Sequence, residues 1–183
     1  MKFAHSLIAV ALSAAALSAH ADSVTPLTTP DWNTFYFADA GSHWLDDFAA
    51  NAPGNLSFSL SLSGPAWLKV TDLGTTGDVF EVFDNGRSLG LTSAPQLANT
   101  QDIGIDFDAA FASRDWSHGQ WLLGAGTHVI TGLVSRSPVG AGIGGLQVTA
   151  VPEPDAYALL LAGLGLLGWA ARRRAVRGES VHA

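Results

Sequence analysis

Residues 56–63 read Leu56-Ser57-Phe58-Ser59-Leu60-Ser61-Leu62-Ser63, an unbroken alternation of apolar and hydroxyl side chains. Successive side chains of a β-strand point to opposite faces, so this stretch predicts an antiparallel strand with one buried and one solvent-facing side. The serines suit the face that meets water and require no further function. This stretch therefore indicates a β fold.

Strand patterns continue on the C-terminal side of this stretch. After a break at Gly64-Pro65, residues 66–71 place Leu68 and Val70 on one side and Trp67, Lys69 and Thr71 on the other. Residues 78–83 run into Asp84-Asn85-Gly86-Arg87, whose Asn-Gly pair is the strongest short signal for a β-hairpin, and residues 88–92 form the return strand. Further strands are predicted at 119–123, 127–134 and 145–151, separated by Gly-rich turns. A single helical turn is predicted at 107–113, capped by Asp106.

Eight or so short strands with turns between them predict an all-β protein with a single antiparallel β-sandwich, jelly-roll-like, over residues 22–150. About 130 residues suit one domain with a core of its own. The segments GDVFEVFDNGRSLGLTS (77–93) and WSHGQWLLGAGTHVITG (116–132) also resemble parts of secreted β-sandwich proteins. That resemblance supports the fold and carries no site residues.

The charge and the cysteine content of this domain limit the classes of partner and site that it can have. Residues 22–150 contain four Lys and Arg against thirteen Asp and Glu, a net charge near -9, whereas the whole chain carries -7. Such a domain repels phosphate backbones, so no nucleic-acid partner is expected. The chain has no cysteine, which excludes disulfides, thiolate metal sites and a cysteine nucleophile.

The N-terminus has the pattern of a secretory signal peptide over residues 1–21. Met1-Lys2 begins it, an apolar run extends from Leu7 to Leu17, and Ala19-His20-Ala21 is a small-x-small cleavage site. We expect cleavage before Asp22, with signal peptidase as the processing enzyme. An uncleaved N-terminal anchor is the alternative, because both have a hydrophobic run.

The C-terminus carries a second targeting pattern, over residues 151–183. Val151-Pro152-Glu153-Pro154 is followed by an uncharged run at 156–171, by Arg172-Arg173-Arg174 and by a short tail. Sixteen helical residues extend about 24 Å, at the short edge of what crosses the ~30 Å hydrocarbon core. The run therefore predicts a transmembrane helix, with the arginines as a cytoplasmic stop and the domain on the far side.

This arrangement resembles the PEP-CTERM sorting signal of Gram-negative bacteria. The resemblance implies export, retention in the membrane by the tail, and recognition of the Pro-Glu-Pro residues by an exosortase, a membrane-embedded cysteine protease or transpeptidase. Pro152, Glu153 and Pro154 would then act as substrate, and proline would keep them extended and accessible. An ordinary anchor that is never cut is the alternative. The tail after Arg174 is somewhat longer than such signals usually have.

No catalytic constellation is evident in the domain. His43, His118 and His128 stand in no metal-binding spacing and beside no nucleophile motif. Structural, hydrogen-bonded roles are favoured for His118 and His128. We therefore predict no catalytic residues, no metal ligands and no cofactor.

Acidic residues cluster at Asp46-Asp47, at Asp72 with Asp78, and at Asp102, Asp106 and Asp108. Oxygen ligands close in sequence are what Ca²⁺ needs. No EF-hand or nonapeptide spacing accompanies them, so turn-forming and helix-capping roles are favoured. Asp84 is explained by its own Asn-Gly turn.

Tryptophans could provide flat surfaces for sugar rings, and they lie at Trp32, Trp44, Trp67, Trp116 and Trp121. Core packing is favoured for each, and Trp67 is the best candidate for an exposed platform because it lies opposite Leu68 and Val70 in its alternation.

Together these features predict an exported protein that is membrane-anchored during processing and then located at the cell surface or outside the cell. Its expected role is structural or adhesive, with exopolysaccharide as a candidate partner, and it is not expected to be an enzyme. A carbohydrate-binding module and a hydrolase of surface polymers are the alternatives. The first requires a row of exposed aromatic rings, and the second a cleft with converging carboxylates about 5 to 9.5 Å apart.

Overall fold

The computed structural model describes residues 22–27, 30–47, 54–96, 103–151, 159–169 and 172. Nine strands and one short helix lie in this part of the chain up to Val151. They are β1 (Ser23–Pro26), β2 (Asn33–Phe37), β3 (Leu56–Leu62), β4 (Ala66–Leu73), β5 (Val79–Asp84), β6 (Arg87–Leu91), α1 (Phe107–Ala112), β7 (His118–Leu123), β8 (Gly126–Arg136) and β9 (Gly142–Ala150).

The strands form two sheets, with the orders β1-β3-β8-β5-β6 and β2-β9-β4-β7. All neighbouring strands are antiparallel except β1, which lies parallel to β3. Successive strands from β2 to β9 alternate between the sheets, apart from the β5–β6 hairpin. This order is that of two Greek keys wound into a jelly roll, as predicted.

The core lies between the sheets. It is built from the residues at every second position of the strands, whose side chains point inward. In β3 these are Leu56, Phe58 and Leu60, while the alternating serines face outward. Trp44 is fully buried at the centre and stacks on Phe35, with ring centroids 4.0 Å apart. The alternation read from the sequence is therefore the alternation between core and solvent.

A second, smaller cluster covers the outer face of the four-stranded sheet. α1 begins after Asp106, whose carboxylate accepts the Ala109 backbone N–H at 2.9 Å. The buried members of this cluster are Leu73, Ala110 and Trp116. The short helix thus covers part of a sheet face that would otherwise meet water.

The predicted strands after residue 55 are confirmed, with ends that differ by at most three residues. β1 and β2 were not predicted. In β2 the sequence Phe35-Tyr36-Phe37 is continuously aromatic, so the alternation between two buried rings and a half-buried one is not visible from hydropathy. β1 is only four residues long and ends in proline.

Both targeting segments lie wholly or largely outside the described residues. The signal-peptide prediction, with Ala19 and Ala21, falls outside them, as do Pro152, Glu153, Pro154, Arg173 and Arg174. Within the predicted transmembrane run, residues 159–169 are helical and largely exposed, and Arg172 is also helical. None of the helices among the described residues is both long and apolar enough to cross a membrane.

Candidate functional site

Trp67 is exposed on the outer face of the four-stranded sheet, as its alternation predicts. Its side chain is 37% exposed, and Leu122, directly opposite on β7, is 57% exposed. We call Trp67 and Leu122 the apolar patch. One residue pair further along, the Lys69 ammonium donates to the Gln147 side-chain oxygen at 3.3 Å and lies 5.2 Å from the centre of the Phe111 ring. The patch is thus an apolar surface bordered by polar groups.

The other four tryptophans have packing roles. Trp44 and Trp116 are buried, and Trp116 donates its indole N–H to the Gly74 carbonyl at 3.0 Å. Trp121 packs against the main core, and Trp32 stacks on Phe107 of α1. Among the described residues of the sandwich, Trp67 is therefore the one exposed aromatic side chain. A single ring of this kind does not make the row expected of a carbohydrate-binding module.

Asp72 and Asp78 form a buried acidic pair where β4 leads into β5, with exposures of 0% and 2%. The Asp72 carboxylate accepts the backbone N–H of Leu73 at 2.8 Å and that of Asp78 at 3.3 Å. The Gly77 backbone N–H is a third donor to it. The side chain thus fixes the loop between the two strands.

Burial controls the protonation of this pair. Desolvation, reinforced by the charge of Asp78, raises the pKa of Asp72 to about 9. Desolvation also raises the pKa of Asp78, although the Ser137 hydroxyl and the Arg136 charge act in the opposite direction. At neutral pH Asp72 therefore carries a proton, while Asp78 has two partners, Ser137 and Arg136, that offset part of its desolvation.

This pair is closed to a polymer substrate, because neither carboxyl group reaches the surface. The burial of this pair was not predicted from the sequence, which placed Asp72 and Asp78 in a loop. The signal was present, since Asp72 continues the inward alternation of Leu68 and Val70, and Asp78 that of Phe80 and Val82.

His128 and Asp84 form a second inward-facing polar pair. The His128 Nδ1 lies 2.8 Å from an Asp84 carboxylate oxygen, and the Nε2 lies 3.0 Å from the Gly124 carbonyl oxygen. Both ring nitrogens face acceptors, so the imidazolium form can donate to both at once. The structural role predicted for His128 is confirmed. The explanation of Asp84 by its turn alone was incomplete, because its side chain also ties β5 to β8.

The remaining histidines also differ in their roles. His118 lies 3.0 Å from the Trp116 carbonyl oxygen and packs against the Phe111 ring, which confirms the predicted structural role. His43 is exposed and pairs through its backbone with Leu133.

Most of the aspartates considered as candidate Ca²⁺ ligands accept specific hydrogen bonds within the fold. Asp106 caps α1, Asp108 accepts the Trp32 indole N–H at 2.9 Å, and Asp46 accepts the Gly54 backbone N–H at 3.1 Å. Hydrogen bonding to Ser23 is the main cause that lowers the pKa of Asp46. Asp102 lies outside the described residues. Within the described part of the chain, no group of three or more His, Asp or Glu side chains could hold a metal ion.

The chain leaves the sandwich directly before the predicted sorting motif. β9 ends at Ala150, and the Val151 backbone N–H donates to the Pro65 carbonyl at 2.9 Å. The last ladder partner of Ala150 is Ala66, at the start of β4. The domain therefore ends where the sequence places the first residue of the Val-Pro-Glu-Pro motif.

Two solved structures overlap the chain at low similarity. The pre-peptidase C-terminal domain of collagenase from Bacillus anthracis shares 6% identity over 71% of this chain and 98% of its own, with a TM-score of 0.41. The C-terminal CBM6 of the marine laminarinase LamC from Zobellia galactanivorans shares 14% identity over 64% of this chain and 100% of its own, with a TM-score of 0.35. Neither similarity identifies a ligand. No curated protein matches the chain.

A family model for the PEP-CTERM protein-sorting motif matches residues 150–174. The match begins at the last residue of β9 and includes the Pro-Glu-Pro residues, the apolar run and the arginine cluster. Such a motif marks an exported protein that is associated with the membrane while an exosortase processes it. This chain is accordingly a β-sandwich protein that carries a PEP-CTERM sorting motif immediately after its last strand.

Proposed function

We propose that the protein is a non-enzymatic component of the cell surface or extracellular matrix, with a structural or adhesive role among exopolysaccharide. A signal peptidase removes residues 1–21, the segment at 156–171 holds the chain in the membrane, and an exosortase cuts at Pro152-Glu153-Pro154. The observation that carries this proposal is the PEP-CTERM motif at 150–174, joined to β9 without a linker. Processing there removes the tail and leaves the sandwich complete.

The sandwich itself supports a structural role. Its carboxyl pair Asp72–Asp78 is buried and holds a loop, so it offers no group to a polymer. A hydrolase would need carboxylates that converge in an open cleft. The alternative of a carbohydrate-binding module depends on Trp67 alone, and one exposed ring gives one stacking surface.

The sorting step is tested by changing Pro152, Glu153 and Pro154 together to Ala in the native host. We expect this variant to remain in the membrane fraction with a protease-resistant sandwich, whereas the wild type is released with a C-terminus near residues 151–154. Glu179→Ala is the matched control, because it removes a glutamate beyond the matched motif and should leave release unchanged. Normal release of the triple variant contradicts the proposed role of the motif.

The destination is tested separately on the released protein. We expect the wild type to co-sediment with exopolysaccharide from the same cells and to be freed by enzymes that degrade that polymer. Protein found entirely in the free supernatant contradicts the matrix role and leaves the sorting step intact.

A further inference from the structure

The C-terminal segment leaves the sandwich at one end, which we call the near end. Strand register defines it, since Leu62 pairs with Gly126, and Ala66 pairs with both Leu123 and Ala150. The hydrogen bond from Val151 to Pro65 fixes the exit beside the β3–β4 turn. The opposite end, where Leu73 pairs with Ile143 and Val79 with Arg136, is the far end.

The apolar patch lies close to this exit. Trp67 is two residues from Pro65 along the chain, and its partner on β9, Thr149, is two residues from Val151. Two strand residues extend about 7 Å, so the patch begins within that distance of the point where the chain leaves. Exposed Trp and Leu side chains at directly opposed positions of two neighbouring strands favour burial against another apolar phase.

Acidic side chains are concentrated away from the near end. Its turns at 63–65 and 124–125 contain only Ser, Gly, Pro and Ala. At the nearby Asn85-Gly86 hairpin, Asp84 is paired with His128 and Arg87 follows the turn. Among the exposed or partly exposed acidic residues, Asp39, Asp46, Asp47 and Asp115 lie at the far end and its loops, whereas Asp31, two residues before Asn33 of β2, lies toward the near end. An acidic domain with this distribution approaches anionic lipid headgroups more easily by its near end.

The length of the connection also favours this orientation. Seven residues, and so eight Cα–Cα steps, separate Val151 from residue 159, where the described helix begins, and these steps reach at most about 29 Å when fully extended. β4 alone, with eight residues, is about 27 Å long. A sandwich standing on its far end would need the whole connection stretched along its side. Standing on its near end leaves the connection slack.

We propose that the near end, through Trp67 and Leu122, rests against the lipid headgroup surface while the protein waits in the membrane for its exosortase. This rests on the proposed function, because the PEP-CTERM segment supplies the tether. Tryptophan is favoured at the membrane–water interface, where its ring lies among the headgroups and its N–H still finds a partner. The contact keeps the segment after Val151 near the lipid surface, where a membrane-embedded enzyme acts.

The absence of cysteine in the chain allows a direct test with single labels. Ala125→Cys places an environment-sensitive dye in an exposed near-end turn and leaves the apolar patch intact, while Val139→Cys places it in an exposed far-end loop. Each full chain is reconstituted in vesicles of phosphatidylethanolamine and phosphatidylglycerol that carry headgroup nitroxides. We expect a blue shift and strong quenching for the dye at position 125 and neither for the dye at 139. Equal spectra and equal quenching at the two positions overturn the proposal.

Removal of the patch tests its role. In the Ala125→Cys background, Trp67→Ser combined with Leu122→Ser should lower the quenching to the level of the far-end label. Both side chains are exposed, so circular dichroism should show an unchanged thermal transition. Full quenching in this folded variant overturns the assignment to Trp67 and Leu122.

Flotation of the vesicles separates this proposal from the proposed function. A chain that fails to float with the lipid contradicts the membrane tether itself, and both proposals then fail. A chain that floats but shows equal spectra and equal quenching for the dyes at positions 125 and 139 overturns only the proposed orientation. A blue shift of the dye at 125 caused by exopolysaccharide, with no shift on lipid, assigns the patch to a glycan and also overturns the proposal.

Discussion

Asp72 is fully buried, and its carboxyl group carries a proton in the native state because desolvation and the charge of Asp78 raise its pKa to about 9. In the unfolded chain the group ionises near its ordinary pKa of 3.8. Between these values the native state binds the additional proton, so the free energy of unfolding decreases as the pH rises. We expect the Tm to fall between pH 5 and pH 9, and Asp72→Asn to reduce that fall. Asp39→Asn, at an exposed aspartate, is the control and should keep the wild-type slope.

The same residue distinguishes the effect of charge from that of hydrogen bonding. Asp72→Ala leaves the backbone N–H groups of Leu73, Gly77 and Asp78 without their acceptor. A buried group that loses its partner costs about 1–3 kcal/mol, so this variant should be destabilised by at least that amount at pH 5, where Asp72→Asn stays close to the wild type. Urea unfolding of both variants measures the difference. Equal stability of Asp72→Ala and the wild type would show that the loop does not need this acceptor.

Gly132 lies directly under the ring of Trp44, so a Cβ at this position would overlap the indole. Trp44 is fully buried and stacked on Phe35, and it cannot move without opening the core. Gly132→Ala is expected to destabilise the sandwich by about 1–3 kcal/mol or more through overpacking. Gly124→Ala is the matched control, since nothing lies within 4 Å of its Cβ, and it should unfold like the wild type. Chemical denaturation followed by tryptophan fluorescence tests both.

The helix α1 is short, so its cap contributes a large part of its stability. Asp106→Ala removes the acceptor for the Ala109 N–H and should cost about 1 kcal/mol, whereas Asp106→Asn keeps a side-chain oxygen in place. Because Ala110 packs with Leu73 and Trp116, loss of the cap should raise amide exchange in α1 while the core strands stay protected. Uniform exchange across both variants would show that packing alone holds the helix.

Elements were predictable from the sequence where alternation and turn chemistry agreed. β3, β4 and the β5–β6 hairpin have an apolar–polar period of two or an Asn-Gly turn, and Asp106 was recognised as a cap. β2 was not predicted because its three consecutive aromatic residues conceal the apolar–polar period of two. Partners along a sheet, such as β8 between β3 and β5, depend on long-range packing that a local pattern does not contain.

The candidate site followed the same rule. The exposure of Trp67 was predictable because the alternation of β4 places it on the face opposite Leu68 and Val70. The alternation indicates that Asp72 and Asp78 point inward, but their complete burial depends on residues of other elements, among them Arg136 and Ser137. The local alternation therefore predicted which side chains are exposed, whereas the buried polar pairs depend on tertiary contacts that the local pattern does not contain.

At the scale of the whole molecule, the last strand in the chain lies in the middle of a sheet. β9 pairs with β2 on one side and β4 on the other, so the four-stranded sheet cannot form until residues 142–150 are available. Only the residues that follow Val151 remain to emerge at that stage. The fold is therefore complete only once the chain is available up to the start of the sorting motif.

This arrangement predicts a sharp limit for C-terminal truncation. A chain that ends at Val151 retains every ladder pair of β9 and the bond from Val151 to Pro65, and it should match the full chain in Tm and trypsin resistance. A chain that ends at Gly140 lacks β9, which separates β2 from β4 and removes Leu146 from the core, and it should be unfolded. Circular dichroism and limited proteolysis compare the two. A folded chain ending at Gly140, or an unfolded one ending at Val151, would show that the boundary between sandwich and sorting motif lies elsewhere.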